Sequence, residues 1–288
     1  MKAIPPQALH AWTQRIWNVL RHSPSLRGTC YLVSMALILI SWRQIYAVHM
    51  QPRSAVQRVL AIQTSATPFV ASTTYAFARL RPEDYRRWSY VLFTRGVSQA
   101  TLGAGMGTSA FFIVVLIATS RGWVSYPART RQQLDQGAIA QNVLIQLAHL
   151  NVAWNEETIF RGYGLETLTQ AMGRLGAVCV LTPLFALAHG PGWQVFLGQS
   201  AFGVAMTMLR LSSGSIWLPI GYHFAWNYVQ TAILGDPDQA ATVRPMQLIG
   251  PRIWIGQQGQ PEPGILEVLV HLSIATIVSI LYWRKTQR

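Results

Sequence analysis

The sequence predicts an all-α, polytopic membrane protein of about eight transmembrane helices, within a range of six to eight. Three observations predict it. First, 51% of the residues are hydrophobic but only 11% carry charge, against roughly 25% charged in a soluble domain. So few charges cannot solvate the surface of a 288-residue globule, and lipid is the substitute solvent. Second, apolar runs of about 20 residues, the length that crosses a bilayer, recur along the chain. Third, basic residues cluster beside those runs, at Arg79, Arg81, Arg86 and Arg87 and again at Arg284, Lys285 and Arg288. Juxtamembrane segments carry arginine in this way.

The elements follow in order. Residues 1–28 are polar and basic, without an evident cleavable signal peptide, so the first span is expected to act as its own insertion signal. Residues 29–136 hold the N-terminal spans: 29–49, a weaker run at 54–80 that contains Arg58, and 99–120. Gly103 and Gly107 in the last of these form a small-xxx-small pair, which either admits a close backbone approach or is merely tolerated. Residues 137–235 form a core of four spans, 137–154, 174–189, 193–209 and 215–234. A hairpin turn is expected near Gly173. Residues 236–264 read as a long polar loop with several Pro and Gly. Residues 265–288 hold the last span, 265–283, and a basic tail. Trp123, Trp193, Trp217 and Trp283 sit near run ends, as interfacial tryptophans do. Cys30 and Cys179 lie within apolar stretches and read as small core residues, not as a disulfide or a metal site.

The net charge of +13, from 23 basic and 10 acidic residues, allows nucleic acid, an anionic membrane or acidic substrates as partners. No basic helix face with interleaved aromatics appears, so nucleic acid is not expected; the lipid bilayer is. Lys and Arg counted by loop favour the side of the two termini, which places both in the cytoplasm. The expected location is the plasma or inner membrane of a prokaryote.

Ionisable groups within membrane spans are costly and point to function. Here they fall in three clusters. Glu156-Glu157-Thr158-Ile159-Phe160-Arg161 places Glu157 and Arg161 four apart on one helical face, where they can pair. Glu156 is turned about 100° away and is free to face a cavity; a solvated helix end is the plain alternative. Phe185 to His189 puts a histidine at the end of an apolar helix, one turn beyond Phe185. His223 and Asn227, again four apart, project from one face and need a partner helix or a cavity. Taken together, a Glu, a His and a His/Asn pair are the parts that hydrolyse an amide: a base for water and donors for the oxyanion.

In order and spacing these clusters resemble the CPBP family, the CAAX-protease and bacteriocin-processing membrane proteins, whose pattern is EExxxR, FxxxH and HxxxN. Glu156, Glu157, Arg161, Phe185, His189, His223 and Asn227 match all seven positions, over roughly residues 140–232. The Arg161-Gly162-Tyr163-Gly164 and Gly214-Ser215-Ile216-Trp217 stretches are similar as well. The resemblance implies an intramembrane endopeptidase, related to type II CAAX prenyl proteases, acting on a membrane protein or peptide. It implies that Glu156 and His189 activate water and that His223 and Asn227 form the oxyanion hole. Glu157, Arg161 and Phe185 would support them. No cofactor is expected. Zinc is the rival, held by Glu156, His189 and His223 as an open catalytic site, although no HExxH motif is present. A non-catalytic scaffold or bacteriocin-immunity or maturation factor is the alternative of another class. A proton-coupled transporter is a third, without the paired half-sequences of inverted repeats.

Overall fold

The computed structural model describes residues 6–49, 55–81, 93–126, 136–234, 246–256 and 263–287. Its helices are α1 (Pro6–His22), α2 (Pro24–His49), α3 (Ala55–Ala78), α4 (Phe93–Ser120), α5 (Gln136–Glu157), α6 (Leu165–Ala188), α7 (Trp193–Ser213), α8 (Trp217–Leu234), the short α9 (Arg252–Ile255) and α10 (Ile265–Thr286). A π-helical turn, Thr158–Gly164, joins α5 to α6.

The all-α membrane architecture is as the sequence predicts. Among the described residues five candidate spans are long and apolar enough to cross a bilayer: Pro24–Tyr46, Arg95–Ser120, Val143–Ala188, Trp193–Ser213 and Ile265–Lys285. The third cannot be one straight rod. Glu156 and His189 meet at 3.7 Å, whereas an unbroken helix would hold them about 50 Å apart. The reversal is at Gly173, whose φ of 77° and ψ of 170° leave helical space. Three contacts define the antiparallel hairpin: Glu156 with His189, the Phe160 and Phe185 rings at 5.2 Å, and the Gly164 backbone beside Leu181. Each pair is equally spaced about the 172–173 bond.

Close backbone packing fixes the rest. α4 lies along α8, α10 along α7, and α6 along α7. A Cβ at Gly103 or Gly107 would strike the carbonyl oxygen of Leu218 or Tyr222, and one at Gly221 would strike that of Ala100. The small residues of α4 therefore serve close approach, the first of the two readings the sequence left open. The main core gathers Phe111, Val114, Phe185, Phe202, Met206, Leu209, Tyr222 and Trp226 between these helices.

Two features differ from the sequence reading. Cys179 is exposed and Cys30 half-buried, because an apolar stretch on the outside of a membrane bundle faces lipid and not a core. The polar loop is partly built into the fold. Gln247–Leu248 pairs antiparallel with Val124–Ser125, and Leu248 and Ile255 are buried in the main core. The few apolar residues of this loop anchor it to the bundle.

Candidate active site

Each arm of the hairpin delivers one motif to the same depth. Glu156 and Glu157 end α5 where the chain enters the π-turn. Gly162, at φ −83° and ψ −108°, departs from helical geometry there; π-turns widen a helix by one residue and occur often at functional sites. Glu157 is wholly buried. Its Oε1 accepts from Arg161 Nη1 at 3.2 Å and lies 3.0 Å from His223 Nδ1. The expected pairing of Glu157 with Arg161 is present, and the same oxygen also holds a histidine of the third motif.

Arg161 is buried and built in on all sides. Its Nη2 donates to the Gly203 carbonyl at 3.1 Å, and its guanidinium sits 4.2 Å from the Phe185 ring centroid. Arg210, which no motif includes, donates from Nε to the Arg161 carbonyl at 3.2 Å. Phe185 thus does two things. Its ring floors the guanidinium, a cation–π contact, and its carbonyl holds His189.

That second role follows from the helix end. His189 closes α6, and its N–H turns back to the Ala186 carbonyl. The Phe185 carbonyl, which a continuing α-helix would have engaged, is left for another donor. His189 Nδ1–H fills the vacancy at 2.8 Å. A carbonyl only accepts, so in the neutral ring Nδ1 carries the proton and Nε2 is the acceptor.

His223 sits on α8, whose start is set by the tight Ser213–Ser215 turn. Gly214 there has φ 72° and its N–H reaches the Arg210 carbonyl at 3.0 Å. Ser215 Oγ accepts from the Trp217 N–H at 3.2 Å. His223 is buried, and its Nδ1–H donates to Glu157 when that carboxylate is ionised. Asn227, half-buried, follows one turn further along α8.

The two imidazoles present Nε2 to one atom. Glu156 Oε2 lies 3.7 Å from His189 Nε2 and 3.9 Å from His223 Nε2. The Glu156 and His189 side chains are about a quarter exposed, while Glu156 Oε2 itself is buried and has no hydrogen-bond partner. The structure brings six of the seven motif residues into one connected set and leaves Asn227 beside it.

Residues 138–229 match the family model described as Type II CAAX prenyl endopeptidase Rce1-like. This segment is similar to an Rce1-like domain. The match covers about a third of the 288 residues and encloses all three motifs. No curated protein and no solved structure matches the chain. The likeness is thus to a membrane-protease family, over the segment that carries the three motifs.

One buried group next to this segment escaped the sequence reading. Glu267 and His271 on α10 are wholly inaccessible and 3.5 Å apart. The His271 ring lies 5.1 Å from Phe202, which is itself 4.9 Å from His223. The signal was present: a Glu and a His four apart in a membrane span, the spacing that singled out His223 and Asn227.

Proposed function

We propose that this protein is an intramembrane endopeptidase in which Glu156 and His189 activate water to attack a peptide bond of a membrane-associated protein or peptide. One observation carries the reading. While both imidazoles are neutral and Glu156 is ionised, Glu156 Oε2 and the two Nε2 atoms are three acceptors turned towards one another; a His223 protonated on both nitrogens leaves that set. Such a set is stable only around a shared donor or a cation. Separations of 3.7 and 3.9 Å exceed a direct hydrogen bond, and a water donating to two of these atoms would open the corner to about 4.4 Å. Glu156 takes a proton from that water as it attacks the carbonyl, and His189 relays a proton towards the leaving amine. Asn227 stabilises the developing oxyanion. His223 joins it only with both ring nitrogens protonated, and Glu157, against Nδ1, is placed to hold that charge.

Zinc on Glu156, His189 and His223 is the rival reading, although among the described residues no three such side chains are placed to hold a metal ion. Tetrahedral zinc with bonds of about 2.0–2.1 Å spaces its ligand atoms roughly 3.3 Å apart, so both separations would have to contract. In the membrane we propose eight crossings, by α2, α3, α4, α5, the second arm of α6, α7, α8 and α10. Both termini and the Gly173 turn would lie in the cytoplasm of a prokaryote. The deciding experiment compares membrane-protein termini in cells carrying the natural chain and Glu156→Gln. New termini that depend on Glu156 are expected. Identical profiles, with full biological function retained by Glu156→Gln, would favour the scaffold or immunity-factor alternative.

A further inference from the structure

We propose that α1 lies in the plane of the membrane interface and binds the anionic headgroups of one leaflet, independently of any catalytic role. The 28 residues read as a polar, basic segment contain a helix with two distinct sides. At 100° per residue, Val19, Trp12, Ile16 and Leu20 fall within an arc of about 100°, and Trp17 lies about 60° beyond it. Trp12 is 62% exposed, Trp17 and Val19 48% each, and Ile16 38%, so this apolar side is not packed against the bundle. Exposed Arg15 and Arg21 border the wider face that includes Trp17, one on each side. Aromatic and aliphatic residues on one face with arginines beside them are the composition of interfacial helices.

The helix is also held at the right level. Arg27, buried at the start of α2, donates from Nη1 to the Leu20 and Arg21 carbonyls at 3.2 and 2.9 Å. These are carbonyls at the end of α1 that lack helical partners. Its Nη2 donates to Gln170 Oε1 at 2.9 Å, three residues before the Gly173 reversal. Ser23 alone separates α1 from α2. The α1–α2 corner is thus clamped to the end of the hairpin, where the bundle leaves the bilayer. At that end Arg174 bonds Tyr282 at 2.7 Å, two residues before Arg284 and Lys285. No acidic residue precedes Glu83 in the chain. A basic rim with an apolar helix lying along it complements an anionic leaflet. The outward stripe of α2, Leu26, Val33, Leu37 and Ile40, continues the apolar surface into the bilayer.

The test uses the full chain with Cys30→Ser and Cys179→Ser, carrying a nitroxide at Trp12→Cys or Gln14→Cys, in phosphatidylcholine vesicles with or without phosphatidylglycerol. With phosphatidylglycerol, the label at 12 should be reached by oxygen and shielded from a nickel chelate, and the label at 14 the reverse. Arg15→Gln with Arg21→Gln should reduce that difference, and Arg15→Lys with Arg21→Lys should keep it. Equal accessibility at 12 and 14, or a difference indifferent to both phosphatidylglycerol and the Gln pair, would overturn the proposal. Spin–spin broadening between labels at 12 would overturn it too, by showing a second copy on the face. None of these readouts depends on proteolysis.

Discussion

His223 Nδ1 stands 3.0 Å from Glu157 Oε1, the same oxygen that accepts from Arg161 at 3.2 Å. The second glutamate of the first motif therefore orients the histidine of the third, from the fully buried side of the site, while the first glutamate faces the accessible side. Two adjacent residues of one type hold different positions because successive helical residues diverge by about 100°. The two substitutions below separate those positions.

Glu156→Gln preserves size and most hydrogen bonding but removes the base. Cleavage should fall to background while the protein accumulates and melts as the natural chain does. Activity and thermal melting in detergent, on the same preparation, read both. A variant that cleaves as fast as the natural chain would falsify the role of Glu156 as the base.

Glu157→Gln should act differently. It leaves Arg161 without its counter-charge in a buried place, and breaking a buried pair costs about 3–5 kcal/mol. It also replaces the carboxylate facing His223 Nδ1 with a neutral amide. Lower melting temperature and lower turnover are both expected. Arg161→Gln should destabilise comparably, and the double variant should lose less than the two single losses added. Additive losses would show that the pair is not coupled.

Asn227→Ala should lower turnover by about 10²–10³-fold with little change in substrate affinity, as removal of an oxyanion donor does. A change in affinity alone would move Asn227 to substrate positioning. Loss of folded protein would mark it as a polar contact between helices.

Metal content distinguishes the two readings of the acceptor cluster. The water reading expects turnover by protein with far less than one zinc per chain and no response to chelators. Near-stoichiometric zinc, with activity lost to a chelator and restored by the metal, would make Glu156, His189 and His223 ligands.

The α4–α8 contact can be tested without a substrate. Gly221→Ala places a methyl against the Ala100 carbonyl, where neither backbone can yield cheaply. A loss of about 1–3 kcal/mol, typical of overpacking, should appear as a lower melting temperature. Gly105→Ala, on the same pair of helices but facing open space, is the control and should not destabilise. Equal effects would mean that the close approach is not a determinant of stability.

The sequence by itself determined the membrane class, the helical hairpin at Gly173 and the pairing of Glu157 with Arg161. These depend on composition, run length and helical spacing, which are local quantities. It also singled out Glu156, His189, His223 and Asn227, because ionisable and amide groups stand out in apolar runs. It read residues 1–28 only as basic, since the apolar side of α1 is diluted among polar residues and no run of span length marks it. It passed over Glu267 and His271 because a single Glu and His at the head of a long apolar helix look like an interfacial end. Only the tertiary structure decided that the Phe185 carbonyl holds His189 and that Glu157 holds His223 across 66 residues. It also decided that both Nε2 atoms turn to Glu156. Those relationships depend on where a helix stops and how closely two backbones approach, and neither distance is carried by spacing within one helix.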